Sequence, residues 1–333
     1  MTDALLAIFE FLGRALASGL AALMQPQKRI YLPYLVGAFA LAVLVWSVRA
    51  RGRRSLVQFL FPKAIWLHRS ALLDYRLVVV RGLLDLAWLG SLSLSSFAVG
   101  LSIARLLWQH VAILPRFTVE PWLIVALFSI GAFVAEDLAR YALHRLCHRV
   151  PALWELHKLH HSAEVLTPLT VYRTHPLEGL LMTAGSALAI GVVTGVCMWA
   201  FPGAIRAWEV LGVQALGFFW NVLGANLRHS HVWLSYGARL EHVLISPAQH
   251  QIHHSDQARH HDRNFGAALA LWDWAFGTLY VTRGRERLRF GLRAGESNYD
   301  DGVFSALVGP LWGAVGRLIA PGARAMARSP REA

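Results

Sequence analysis

Cysteine is nearly absent: only Cys147 and Cys197 occur in 333 residues, and they share no motif spacing. A disulfide framework and a thiolate metal site are therefore not implied. Charge is also scarce, at 16% Asp, Glu, Lys and Arg against about 25% in ordinary soluble domains. Acidic residues are the rarer sign, 20 against 32 Lys and Arg, for a formal net charge of +12. The chain has no strand followed by Gly-x-Gly-x-x-Gly, no cysteine-rich cluster motif and no His-Glu-x-x-His. A built-in dinucleotide site, an iron–sulfur cluster and the familiar zinc hydrolase are thereby set aside. No cleavable leader is apparent, because Glu10 and Arg14 interrupt the first apolar run.

What is abundant is apolar. Hydrophobic residues make up 56% of the chain, and the mean hydropathy is +0.43. A span needs about 20 mostly apolar residues. Five runs qualify: Ile30–Val48, Leu83–Leu107, Pro121–Leu138, Leu177–Phe201 and Ile205–Asn226. Residues 4–24 read as a sixth span or an interfacial helix. Val303–Ile319 reads as a short amphipathic helix, with Pro310 arguing against a clean span. The bases flank apolar runs, so they read as topology signals and lipid contacts, not as a nucleic-acid surface. Arg49, Arg51, Arg53, Arg54, Lys63, Arg69, Arg76 and Arg81 crowd the segment between the first two spans, placing it in the cytoplasm. Counting spans outward from there puts residues 139–176 and everything after 226 on the same side.

The expected organisation is an N-terminal membrane region over 1–120, a catalytic region over 121–281, and a polar loop with a basic tail over 282–333. The expected fold class is an all-α integral membrane protein of about five transmembrane helices. A cytosolic helical cap would hold a histidine-ligated di-metal centre. A bacterial inner membrane and an endoplasmic-reticulum membrane both satisfy the multi-pass topology.

Fourteen of the sixteen histidines lie between His144 and His261, and eight fall into three boxes. These are His144-Arg-Leu-Cys-His148, His157-Lys-Leu-His160-His161 and His250-Gln-Ile-His253-His254. Imidazole is the commonest side-chain metal ligand. Residues three or four apart share a helix face, so each box is expected to project as one cluster. A catalytic metal takes about three protein ligands, so eight or nine imidazoles suffice for two metals. Haem ligation between membrane helices needs histidines deep in the spans, and none is there.

The boxes and their neighbours resemble the fatty acid hydroxylase / sterol desaturase superfamily of integral-membrane di-iron enzymes, from about Asp137 to Tyr280. Asp137 and Tyr141 precede the first box as in that family, and Trp154–Ser162 resembles the second box. His175-Pro-Leu-Glu178 and Arg228-His229-Ser230-His231 resemble two short elements, with His231 where asparagine is usual. Asp262-Arg-Asn264-Phe-Gly266, Leu271-Trp272-Asp273 and Phe276-Gly277-Thr278 resemble the closing signature.

The resemblance implies two iron ions held by His144, His148, His157, His160, His161, His229, His250, His253 and His254, with zinc as an alternative occupant on isolation. It implies dioxygen as co-substrate and a membrane lipid as acceptor: fatty-acyl, sphingoid, sterol or hopanoid, or amino-acid-containing. The product is an alcohol by hydroxylation or, as the alternative, an alkene by desaturation. Electrons would come from an external reductase, ferredoxin or cytochrome. A non-redox membrane zinc protein is the rival from another class.

Five further residues are candidates for a supporting role or an additional ligand: His175, His231, Asp137, Glu178 and Asp262. Glu178 either orients a neighbouring histidine or is simply a helix-start acid. Asp137, next to a span, is expected in a buried network, with Arg140 its plain partner. His260 and His261 read as solvated loop residues. Trp272 and Trp274 read as cap core, Cys147 as packing, and Arg173 and Lys158 as solvated or interfacial charges, with a phosphate or carboxylate partner as the alternative.

Overall fold

Proline opens the helices that matter most. In the computed structural model, which describes residues 21, 23–87, 94–111, 119–203, 215–292, 296, 299 and 302–319, the helices run in chain order as follows. They are α1 Leu32–Arg49, α2 Leu56–Leu60, α3 Lys63–Trp66, α4 Arg69–Ala87, α5 Ser96–His110, α6 Pro121–Arg149, α7 Pro151–His161, α8 Pro176–Ala200, α9 Ala215–Val222, α10 Pro247–His253, α11 Leu271–Ala275 and α12 Val303–Ile319. Pro121, Pro151, Pro176 and Pro247 stand in the first turn of α6, α7, α8 and α10, where the missing N–H costs nothing. Pro151 also disfavours helical backbone at Val150, which takes φ −90° and ψ 116° and separates α6 from α7 by one residue. No strand forms among the described residues; the pairs Leu244–Leu269 and Ser255–Phe290 are isolated antiparallel bridges.

Among the described residues, three helices are long and apolar enough to cross a membrane: α1, α6 and α8. Their most apolar windows are only 22, 22 and 28% buried within the protein, so most of that surface suits lipid. α6 has 29 residues and is therefore about 43 Å long, against about 30 Å of bilayer hydrocarbon. Its last turns, with His144 and His148, extend beyond the apolar stretch.

The expected run Leu83–Leu107 is divided: α4 is described as far as Ala87, residues 88–93 lie outside the described residues, residues 94 and 95 are non-helical, and Ser95 caps α5 by accepting from Ala98 N–H. Of the expected span Ile205–Asn226, the described part holds α9, which stops before Gly224 at φ 106°. Residues 204–214, most of residues 4–24 and the tail from Pro321 lie outside the described residues. α12 runs unbroken through Pro310 and packs on α7, where Arg317 Nε donates to Glu155 Oε1 at 3.0 Å.

Close helix packing follows from small residues. A Cβ added to Gly191 would sit 2.5 Å from Val99 Cγ1, and one on Gly195 would sit 2.7 Å from Gly100 O. Gly191-x-x-x-Gly195 on α8 thus lets α5 approach backbone to backbone, the packing used where lipid removes the hydrophobic drive for helix association. On its other side α8 packs along α6, and this pair carries the site at its polar end.

Candidate metal centre

The nine histidines expected as ligands come together in two groups. One holds His144, His148, His157, His161 and His253; the other holds His160, His229, His250 and His254. In each group one potential ligand atom from every residue lies within 4.8 Å of the others. The first box projects as one cluster, His144 and His148 both serving the first group, but the second and third boxes do not. His157 and His161, four apart, serve the first group and His160 the second; His250 and His254, four apart, serve the second group and His253 the first. The reason is helical geometry: consecutive residues are about 100° apart around the axis, so the third and fourth steps of a box point to different sides. α7 and α10 therefore each contribute to both groups, and the ring planes of His161 and His254 stack at 4.7 Å between them.

Ring orientation is set from behind. His157 Nδ1 donates to Glu178 Oε1 at 2.7 Å. His144 Nδ1 donates to Phe265 O at 2.8 Å, His253 Nδ1 to Arg263 O at 2.8 Å, and His160 Nδ1 to Arg173 O at 3.3 Å. With the proton on Nδ1, each of these rings turns a bare Nε2 lone pair inward. Burial holds His157 at about 3. Burial, then the neighbouring His157, holds His160 at about 4. Burial first and adjacent imidazoles second hold His161, His229, His250, His253 and His254 well below the usual histidine range. These seven rings are neutral at physiological pH, the state that binds a metal.

The donor set fits a metal. His229 Nε2 lies 3.1 Å from His160 Nε2, 3.1 Å from His254 Nε2 and 2.9 Å from His250 Nε2, and the last two are 3.2 Å apart. Two nitrogens each about 2.1 Å from one centre, at a right angle, are about 3 Å apart. In the first group, His148 Nε2 and His253 Nε2 are buried with no hydrogen-bond partner. Buried polar atoms left unmatched cost about 1–3 kcal/mol each, a cost that a shared cation removes.

The supporting carbonyls are themselves held. Arg173 is not interfacial; it is fully buried, donating to Asp74 Oδ1, Ser70 O, Leu159 O and Ser162 Oγ. Asn264 takes the left-handed conformation (φ 56°), and its side chain bonds Gln249 O and the Tyr280 backbone. Asp273 accepts the N–H groups of Phe265 and Gly266 and the hydroxyl of Thr278. The closing signature is thus a buttress that aims the carbonyls of Arg263 and Phe265.

The remaining candidates occupy other places. Asp137 is buried and accepts from Ala268 N, Leu269 N and Trp272 Nε1, while Arg140 pairs with Glu136 instead. His175 caps α8 through Nδ1 and donates Nε2–H to Leu307 O at 2.9 Å. His231 donates Nε2–H to Phe59 O at 2.7 Å, outside both groups. Asp262 is exposed, at φ 57°. Glu178 fulfils both of its readings, as helix-start acid and as partner of His157. His260 is buried against Glu286 at 3.1 Å, not solvated, and Trp274 is 65% exposed, not core. Lys158 pairs with Glu155, and Cys147 packs in the interior.

Residues 129–278 match the family model for fatty acid hydroxylase. Human alkylglycerol monooxygenase is 28% identical over 162 residues, covering 49% of this chain and 32% of the relative. Ornithine lipid hydroxylase OlsE of Rhizobium tropici is 27% identical over 168 residues, covering 50% of this chain and 45% of the relative. Alkylglycerol monooxygenase of Caenorhabditis elegans is 25% identical over 206 residues, covering 61% of this chain and 36% of the relative. The chain thus spans less than half the length of these relatives. No solved structure matches it. All nine grouped histidines lie inside the segment 129–278 that matches this family model.

Proposed function

We propose that this chain is an oxygen-dependent di-iron hydroxylase of a membrane lipid. The observation that carries the reading is the gathering of nine histidines, seven of them buried and His144 and His148 half-buried, into two adjacent groups. His144, His148, His157, His161 and His253 would hold one iron, and His160, His229, His250 and His254 the other. Imidazole suits iron, zinc, copper and nickel alike; the match to the fatty acid hydroxylase family model favours iron. When bound, a di-iron unit supplies dioxygen activation and attack on an unactivated C–H bond.

The chain's own residues do the rest. Glu178, Arg173 O, Arg263 O and Phe265 O fix four rings in one tautomer and one orientation. The burial of α7 and α10 around the groups keeps water out. α6 carries the first box out of the apolar layer, so the site lies where a lipid chain can reach it. The names of the relatives, a monooxygenase of alkylglycerol and a hydroxylase of ornithine lipid, favour hydroxylation over desaturation. The cation distribution supports a cytoplasmic cap, and the missing redox motifs support an external electron donor.

The test is a lipid comparison by mass spectrometry in cells expressing the intact chain or His160→Ala under labelled dioxygen. One labelled oxygen gained by a lipid only with the intact chain is the expected result. Loss of two hydrogens without label would replace hydroxylation by desaturation. Stoichiometric zinc without oxygen consumption in the purified chain would replace the enzyme reading altogether.

A further inference from the structure

Beside the histidine groups is a second feature that metal binding does not use. A cavity of about 410 Å³ is lined by four cationic side chains, Lys28, Arg29, Arg140 and Arg228, and by two acids, Glu136 and Asp137. Both acids are already engaged: Glu136 pairs with Arg140 at 3.0 Å, and Asp137 accepts three N–H donors. Neither Arg29 nor Arg228 forms a direct ion pair among the described residues, although the Asp137 carboxylate acts on Arg228 from longer range. Arg228 is buried, yet its bonds go to the uncharged carbonyls of Ala225 and Ala267, and Arg29 bonds the side-chain amide of Asn221. Each guanidinium has five N–H donors, so donors remain on both.

Burial, with the like charges of Arg228 and Arg140 next in order, lowers Arg29 to about 9. Buried cations beside membrane helices are costly unless an anion meets them. Paired guanidiniums match phosphate oxygens in geometry as well as charge. The other walls are apolar: Phe133 of α6, Ile190 of α8 and Phe218 of α9 line the same space. A free oxyanion would leave those walls uncovered, whereas an amphiphile covers both.

We infer that this cavity binds the phosphate headgroup of a membrane lipid, with Arg29 and Arg228 as its anion contacts. Arg228 immediately precedes His229 of the four-histidine group, so a lipid held here is anchored against the wall of the metal centre. That this lipid is the one hydroxylated rests on the functional reading above; that it binds does not.

The experiment uses the full metal-loaded chain in detergent and measures binding without turnover. The probes are lysophosphatidic acid, monoacylglycerol of the same chain length, and inorganic phosphate. The expected result is at least ten-fold tighter binding of lysophosphatidic acid than of monoacylglycerol. Arg29→Gln should reduce that preference below two-fold with metal content unchanged. Asn221→Asp, which keeps the arginine but places a carboxylate beside it, should do the same. Equal affinity for the two lipids in the intact chain, or a preference untouched by both variants, overturns the assignment. Inorganic phosphate binding as tightly as lysophosphatidic acid overturns the lipid source. Lost hydroxylation with the preference intact counts against the reaction alone.

Discussion

Glu178 Oε1 accepts the Nδ1–H of His157 at 2.7 Å, joining the first turn of the membrane-length helix α8 to the middle of α7. Both side chains are almost sealed from solvent. Removing the carboxylate frees the ring to rotate and weakens its basicity. Glu178→Ala should therefore lower metal affinity about 10- to 100-fold. Glu178→Gln, which keeps an acceptor, should lose less. Metal retention against a graded chelator, read with helical content, checks both; equal retention by Ala and intact chain would remove Glu178 from the site.

His160 and His231 separate ligation from packing. His160→Ala should lose metal and turnover while the helices remain. His231→Ala should keep the full metal content and cost about 1 kcal/mol of stability, the worth of its bond to Phe59 O. Metal analysis of the two purified variants gives the answer, and metal loss from His231→Ala would add it to the ligand set.

Asp137 is a structural acid in this fold. Asp137→Ala leaves the N–H groups of Ala268 and Leu269 and the indole N–H of Trp272 without an acceptor. At about 1–3 kcal/mol for each buried donor left unmatched, the loss should reach roughly 3 kcal/mol or more. Thermal unfolding of the variant in the same detergent would show it as a lowered midpoint. An unchanged midpoint would contradict the network.

The metal-free protein should weaken in acid. His157, at about 3, and His160, at about 4, stay neutral in the fold, while unfolded histidine titrates near 6.5. Below that value the unfolded chain binds the extra protons, so stability is fully present above about pH 6.5 and falls toward pH 4. Each such ring contributes roughly 1.4 kcal/mol per pH unit in that window. Unfolding of chelator-stripped protein between pH 5 and 8 measures the slope; a flat profile would mean the rings are already solvated.

Spacing in the sequence singled out eight of the nine histidines that the fold gathers, because three- and four-residue steps survive any detail of tertiary packing; the ninth, His229, belongs to no box and was reached only through the resemblance of its Arg-His-Ser-His element. It did not separate His157 and His161 from His160, since treating both steps as one face hides the angle between them. The buttresses were harder to see for a different reason. His144, His160 and His253 rest on backbone carbonyls, and every residue has one, so residue type carries no signal. Arg173 and Asp273 could be noticed only as charges inside motifs, not as anchors for those carbonyls. Apolar composition located α1, α6 and α8, but an average over Leu83–Leu107 conceals the helix start that Ser95 marks.

α6 supplies His144 and His148 from its last turns, and α8 supplies Glu178 from its first. The geometry of the candidate metal centre is therefore anchored in two helices long and apolar enough to cross a membrane, with most of the apolar surface of their flanks left uncovered by protein. Whatever surrounds those flanks, native bilayer or extraction micelle, forms part of the scaffold that spaces the rings. Replacing one with the other is a change made to the active site itself.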